Sequence, residues 1–151
     1  MAVRATYAHT NLTARDWEKL VAFYCEVFGC TEATPRQRLS GAWLEQITRV
    51  PGAEIQVVHL RLPGHGEAGP TLEVIGYGDG AEGPAAQANR PGFGHIAFAV
   101  EDVAAARDAV IAAGGRAFGE VVSVDIPGRG RLTETYVTDP EGNIIELQSH
   151  E

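Results

Sequence analysis

The chain has 151 residues, which is enough for one domain with a substantial hydrophobic core. It carries 12 basic and 20 acidic residues, for a formal net charge of −8. This charge argues against a nucleic-acid partner or an anionic membrane surface, because both attract a basic protein face.

The sequence also indicates the cellular compartment. No apolar run is long enough to span a bilayer, and no apolar signal core follows the first residues. The only cysteines, Cys25 and Cys30, fit neither a disulfide framework nor a thiolate metal site. We therefore expect a cytoplasmic protein in a reducing environment.

The first part of the chain predicts a strand followed by a helix. Residues 5–11 predict the strand, and Thr13 with Asp16 three residues later is typical of a helix N-terminal cap. Gly29 marks the helix end, because glycine adopts a positive φ without strain. Apolar residues recur between them at helical spacing: Trp17, Leu20, Val21, Tyr24 and Phe28.

A short helix, two strands and a linker follow. Residues 41–47 predict the helix, which ends before Pro51. Residues 54–62 and 71–77 predict the strands. Residues 78–91 are rich in Gly, Ala and Pro, a composition that predicts a linker.

The same order of elements restarts after the linker. Residues 93–100 predict a strand in which His95 shares a face with small residues, while bulky residues occupy the other face. Asp102 opens a predicted helix, which Gly114 and Gly115 end. The remaining strands are predicted at 116–126, 131–138 and 143–148.

A fixed offset of 86 residues (95 − 9) relates the two halves. It matches a strand histidine, a helix-opening aspartate and a helix-ending glycine: His9 with His95, Asp16 with Asp102, and Gly29 with Gly115. In the closing strands, Glu73 matches Glu146 at an offset of 73. The shortfall of 13 residues (86 − 73) equals the length of segment 39–51, which the second half lacks.

Each half is therefore interpreted as a βαβββ module. We predict an α+β fold in which one domain contains two modules, at about residues 4–80 and 91–150, joined by a linker at about 78–91. The modules are expected to pair into an open, cleft-forming mixed β-sheet barrel with the helices outside. The first and last strands of both modules would then surround the cleft.

His9, Glu73, His95 and Glu146 form the candidate metal site of this arrangement. Two neutral imidazoles and two carboxylates suit one divalent ion such as Ni, Zn, Mn, Fe or Co. Burying these groups without a metal is costly unless each finds another partner. Taken alone, each histidine is better explained as a core residue and each glutamate as an exposed strand residue. The metal-site hypothesis therefore depends on their repeated positions.

Other polar and aromatic residues are assigned no metal role. His59 lies in a strand that neither repeat register marks, His65 lies between glycines in a loop, and His150 belongs to the tail. Trp43 either lines a pocket or packs the inserted helix, and the sequence leaves both interpretations open.

Three stretches resemble the vicinal-oxygen-chelate superfamily, which includes glyoxalases, methylmalonyl-CoA epimerases, extradiol dioxygenases, fosfomycin-resistance enzymes and bleomycin-resistance proteins. They are LVAFYCEVFG at 20–29, HIAFAVED at 95–102 and DPEGNIIEL at 139–147. The resemblance covers nearly the whole chain. It is closest in ligand pattern to glyoxalase-like proteins.

The resemblance also implies a ligand set. Dioxygenases and fosfomycin enzymes of the superfamily generally bind metal through His, His and Glu, at positions that resemble His9, His95 and Glu146. Glyoxalase-like isomerases add a fourth ligand, at a position that resembles Glu73. Antibiotic-binding members commonly lack these ligands, which this chain keeps.

We therefore expect a divalent-metal-dependent lyase or isomerase of glyoxalase type, similar to lactoylglutathione lyases. It would act on a small oxygen-chelating substrate through an enediolate, with Glu146 moving the proton and Glu73 as the alternative base. Two other functions stay open: a small-molecule (antibiotic) binding or resistance protein, and an extradiol-type dioxygenase.

Glutathione use and assembly are not determined by the sequence. Glutathione would need cationic groups for its carboxylates, and the candidates are Arg49, Arg90, Arg129 and Arg131. Surface solubility is the favoured explanation for each of them. The resemblance implies a homodimer. Whether the metal ligands come from one chain or two stays open.

Overall fold

In each unit of the structure, the last strand along the chain pairs in parallel with the first strand. The computed structural model describes residues 3–78 and 80–151 and divides into two units, Met1–Ala81 (unit 1) and Glu82–Glu151 (unit 2). Each unit contains one five-stranded sheet with both parallel and antiparallel pairs. This is the predicted α+β fold.

Two helices and five strands lie among the described residues of unit 1. They are β1 (His9–Ala14), α1 (Trp17–Phe28), β2 (Thr31–Glu32), β3 (Gln37–Ser40), α2 (Ala42–Thr48), β4 (Glu54–Arg61) and β5 (Thr71–Tyr77). The strand order is β1-β5-β4-β2, and β3 also pairs with β4. β1 runs parallel to β5, and the other pairs are antiparallel.

Helix α1 begins later than its sequence predicts. The carboxylate of Asp16 accepts a hydrogen bond from the Lys19 backbone N–H at 3.1 Å, so Asp16 is the N-cap. Thr13 lies in β1, and the expectation that it caps the helix is wrong, because parallel pairing with β5 extends the strand to Ala14. Gly29 ends the helix at φ 68°, as predicted.

Unit 2 contains one helix and five strands among its described residues. They are β6 (Ile96–Ala99), α3 (Val103–Ala112), β7 (Arg116–Ala117), β8 (Val122–Ile126), β9 (Gly130–Thr138) and β10 (Ile144–His150). The strand order is β6-β10-β9-β7, and β8 also pairs with β9. Asp102 caps α3 through a 2.9 Å hydrogen bond from the Ala105 N–H, as its position in the repeat predicts.

The two units share one connectivity, which is what the sequence repeat predicts. In both, the first strand pairs in parallel with the last, and the last pairs antiparallel with the strand before it. Each unit has one strand more than the predicted βαβββ module. The additional strand has two residues and follows the first helix of the unit: β2 in unit 1 and β7 in unit 2. The predicted strand 116–126 is accordingly interrupted between β7 and β8.

A buried carboxylate organises the turn that leads into β10. Asp139 is fully buried, and its side chain accepts hydrogen bonds from the backbone N–H groups of Glu141 and Asn143 and from the Asn143 side chain. Gly142 has φ 93°, a conformation that glycine favours. This turn sets the register of β9 against β10.

None of the helices among residues 3–78 and 80–151 has the length and apolar character that crossing a bilayer requires.

Replacing Asp139 by Ala is expected to lower the free energy of unfolding by about 2 kcal/mol or more. The substitution leaves several donors of the turn without their charged acceptor. Urea unfolding measures the change, and Asp108→Ala on the exposed side of α3 is the control, expected to change stability by less than about 0.5 kcal/mol. Equal losses from both variants would contradict this role for Asp139.

Candidate functional site

Glu73 lies on the inner strand β5 of unit 1, and its carboxylate contacts two imidazoles. The Oε2 atom of Glu73 is 3.5 Å from Nε2 of His9, and its Oε1 atom is 3.3 Å from Nε2 of His59. The side-chain amide of Asn11 donates to Oε2 at 3.2 Å. Asn11 and His59 are the direct cross-strand neighbours of Glu73, and His9 is the diagonal neighbour on β1.

His59 is a member of this cluster that sequence reasoning missed. Its Nδ1 atom is 2.8 Å from the Thr71 hydroxyl oxygen, so its Nε2 atom is the one that faces Glu73. The His9 and His59 rings meet edge to face, with centroids 5.2 Å apart. The antiparallel register of β4 and β5 creates this contact, and the long loop 62–70 between them leaves that register unpredictable from sequence.

Glu146 occupies the matching position in unit 2, on the inner strand β10. Its Oε2 atom is 2.9 Å from Nε2 of His95, which immediately precedes β6. Tyr136 on β9 is its direct cross-strand neighbour and shares a hydrogen bond with its carboxylate. Burial raises the pKa of Tyr136, and the charges of Glu146 and Glu134 raise it further, so its hydroxyl keeps its proton and donates.

Each unit thus brings together one histidine and one glutamate of the candidate set. His9 contacts Glu73 in unit 1, and His95 contacts Glu146 in unit 2. Both glutamates are mostly buried, with side chains 16% and 14% exposed, while both histidines are partly open to solvent. The antiparallel neighbour differs between units, because Tyr136 occupies the position that His59 has in unit 1.

The donor chemistry of the two pairs fits a divalent ion. Each pair supplies one imidazole nitrogen and one carboxylate oxygen, which are donors that Zn, Ni, Mn, Fe and Co accept. Within the part of the chain that the structure describes, no three His, Cys, Asp or Glu side chains already surround a common ion position. Each pair by itself supplies two donors, fewer than the four that a closed divalent-metal site generally has.

The remaining sulfur and imidazole groups lie outside these clusters. Cys25 and Cys30 are free thiols, and burial raises the pKa of Cys30 to about 11, which keeps it protonated. His65 lies in the loop between β4 and β5, and His150 at the end of β10 contacts the Gln148 side chain.

A cavity of about 480 Å³ opens beside Glu73 and His59 within unit 1. Strands β3, β4 and β5 and helix α2 form its walls. Trp43 of α2 lines this cavity and is 51% exposed, so of the two sequence-based interpretations of Trp43 the pocket-lining one is correct.

Comparison with known proteins agrees with this fold. Residues 6–147 match the family model of the Glyoxalase/Bleomycin resistance protein/Dioxygenase superfamily. The chain is also 31% identical over 150 residues to a probable lactoylglutathione lyase of Vibrio parahaemolyticus, covering 92% of this chain and 86% of that protein. The chain therefore belongs to the Glyoxalase/Bleomycin resistance protein/Dioxygenase superfamily.

Solved structures show the same fold at lower identity. A glyoxalase family protein from Bacillus cereus superposes with a TM-score of 0.74 at 20% identity, covering 99% of this chain and 95% of the other. A genomically encoded fosfomycin resistance protein from Listeria monocytogenes superposes with a TM-score of 0.62 at 19% identity, covering 99% and 96%. At such identities the likeness establishes the fold alone.

Replacing His59 by Ala is expected to weaken Ni²⁺ binding by about tenfold or more. The substitution removes the imidazole that contacts one oxygen of Glu73, while His9 contacts the other. Glu73 is a candidate metal ligand, and a group that orients a ligand typically contributes 10- to 100-fold in metal affinity. Calorimetric titration with Ni²⁺ measures the change, with His65→Ala as the matched loop control. An affinity of His59→Ala equal to that of His65→Ala would contradict this positioning role.

Proposed function

We propose that this protein is a metal-dependent lyase or isomerase of glyoxalase type that acts on a small oxygen-bearing substrate. The observation that carries the proposal is the repeated pair, His9 with Glu73 and His95 with Glu146, at matching strand positions. Membership of the superfamily and the 31% identity to a probable lactoylglutathione lyase support it. A homodimer and a cytoplasmic location stay predictions.

We further propose His9, Glu73, His95 and Glu146 as the ligands of one divalent ion. Two carboxylates and a divalent cation sum to zero charge, so a substrate oxygen can approach at little electrostatic cost. Such an ion, when bound, supplies the Lewis acidity that makes a carbon-bound hydrogen next to a carbonyl more acidic. The cross-strand contacts of Glu73 and Glu146 hold these carboxylates in place before the substrate arrives.

Glu146 is the proposed proton carrier. Its carboxylate has two of the contacts described above, with His95 and Tyr136, whereas Glu73 is held by His9, His59 and Asn11. The less restrained carboxylate is better able to accept the α-proton and return it to the neighbouring position of the enediolate. Glu73 is the alternative base.

Replacing Glu146 by Gln is expected to lower turnover at least about 100-fold while the protein keeps most of its metal. An amide still offers an oxygen ligand but cannot accept a proton, and a positioned base typically contributes 100-fold or more. The readouts are solvent deuterium exchange at the α-carbon of 2-hydroxyacetophenone, followed by NMR, and metal content by elemental analysis.

Glu101→Gln is the matched control, because Glu101 is exposed in the loop before α3. The control is expected to keep both turnover and metal content. Wild-type exchange rates in Glu146→Gln, with metal retained, would contradict the assignment of Glu146 and direct the search to Glu73.

One observation favours a second candidate, a small-molecule binding or resistance protein. The unit 1 cavity is large enough for a drug-sized ligand, and its walls are mostly apolar. Sequestration of a ligand requires such a cavity and no catalytic group. The two functions differ in their response to a chelator. A binding protein would keep its ligand affinity in EDTA and would show no α-proton exchange.

A further inference from the structure

We propose that the unit 1 cavity binds an uncharged aromatic small molecule whose oxygen atoms lie at its His59–Glu73 end, rather than the thiol adduct of glutathione. As a statement about substrate, this inference rests on the proposed function and narrows it. As a statement about binding, it rests on the cavity walls alone.

The cavity walls are mostly apolar and partly open to solvent. The large apolar side chains that line them are Leu39, Trp43, Leu44, Ile47, Ile55, Val57, Ile75 and Tyr77. Trp43 and Ile47 are 51% and 70% exposed, which is unusual for side chains of this size. A ligand that covers them removes apolar surface from water, and an aromatic body does so with favourable ring contacts.

The cationic residue of strand β3, Arg38, lies on the side away from the cavity. Gln37 and Leu39 line the cavity, so strand alternation directs Arg38 to the opposite face, where it forms an ion pair with Glu54. Arg36, just before the strand, binds Glu32 with Nη2 2.8 Å from Oε1.

Helix α2 shows the same separation of apolar and polar side chains. Its cavity side carries Trp43, Leu44, Ile47 and Thr48. Its other side carries Ala42, Glu45, Gln46 and Arg49. Arg49, the candidate of this segment for a glutathione carboxylate, therefore lies on the wrong side of the helix.

The resulting cavity suits no additional anion. Among the described residues that line it there is no arginine or lysine, and Glu73 is the only carboxylate. A glutathione adduct carries two carboxylates, one on each terminal residue of its tripeptide, and an apolar wall cannot compensate for their desolvation. Thr34, Gln37 and Thr48 instead offer neutral hydrogen-bonding groups.

Calorimetric titration tests the proposal with two probes, naphthalene-2,3-diol and S-lactoylglutathione. Each is titrated into protein in EDTA, which isolates the contribution of the walls, and into Ni²⁺-loaded protein. We expect the diol to bind wild type at least about tenfold more tightly than S-lactoylglutathione under both conditions. S-lactoylglutathione binding as tightly as the diol would overturn the proposal.

Variants on the two sides of α2 locate the binding. Trp43→Ala is expected to weaken diol binding by about tenfold or more, and Gln46→Ala on the other side is expected to leave it unchanged. Ile47→Arg introduces a cation at the wall and is expected to weaken the diol and strengthen S-lactoylglutathione, a gain that unfolding cannot mimic. Unchanged diol affinity in both Trp43→Ala and Ile47→Arg would overturn the proposal.

The same titrations separate this inference from the proposed function. Diol binding that depends on Trp43 in EDTA, in a protein that takes up no Ni²⁺, would support the ligand class and reject the metal-dependent enzyme. Ni²⁺ uptake and α-proton exchange without any diol binding would support the metal-dependent enzyme and reject the ligand class.

Discussion

The contact between a mostly buried glutamate and a histidine in, or immediately before, the neighbouring parallel strand is the interaction on which the candidate site depends. A mostly buried carboxylate requires donors, and here a histidine at the start of the first strand of each unit provides one. Parallel pairing of first and last strands requires a long connection, and the helix and the remaining strands of each unit form it. The fold and the site are thus consequences of the same strand order.

The two units keep this contact and differ around it. Unit 1 adds His59 beside its glutamate and inserts α2, which creates a cavity of about 480 Å³. Unit 2 places Tyr136 at the corresponding position, has no helix matching α2 among its described residues, and has a cavity of about 250 Å³ near Tyr136. The repeat therefore preserves the histidine–glutamate pair, while the surroundings of the pair differ between the units.

The internal repeat allowed much of this architecture to be predicted from the sequence. Because a single offset relates His9 to His95 and Asp16 to Asp102, the two candidate histidines and the second helix cap could be predicted without any register. His59 could not, because its contact with Glu73 depends on the antiparallel register across loop 62–70. The position of the helix cap at Asp16 instead of Thr13 also depends on strand pairing, because pairing with β5 extends β1 through Thr13.

Elemental analysis of tag-free wild type and of Glu73→Ala, after reconstitution with a divalent metal, tests the central claim most directly. Glu67→Ala, in the exposed loop before β5, is the matched control. The four-ligand set predicts about one ion per chain in wild type and control and a marked loss in Glu73→Ala. An ion retained undiminished without Glu73, or a wild type that takes up no ion, would contradict it.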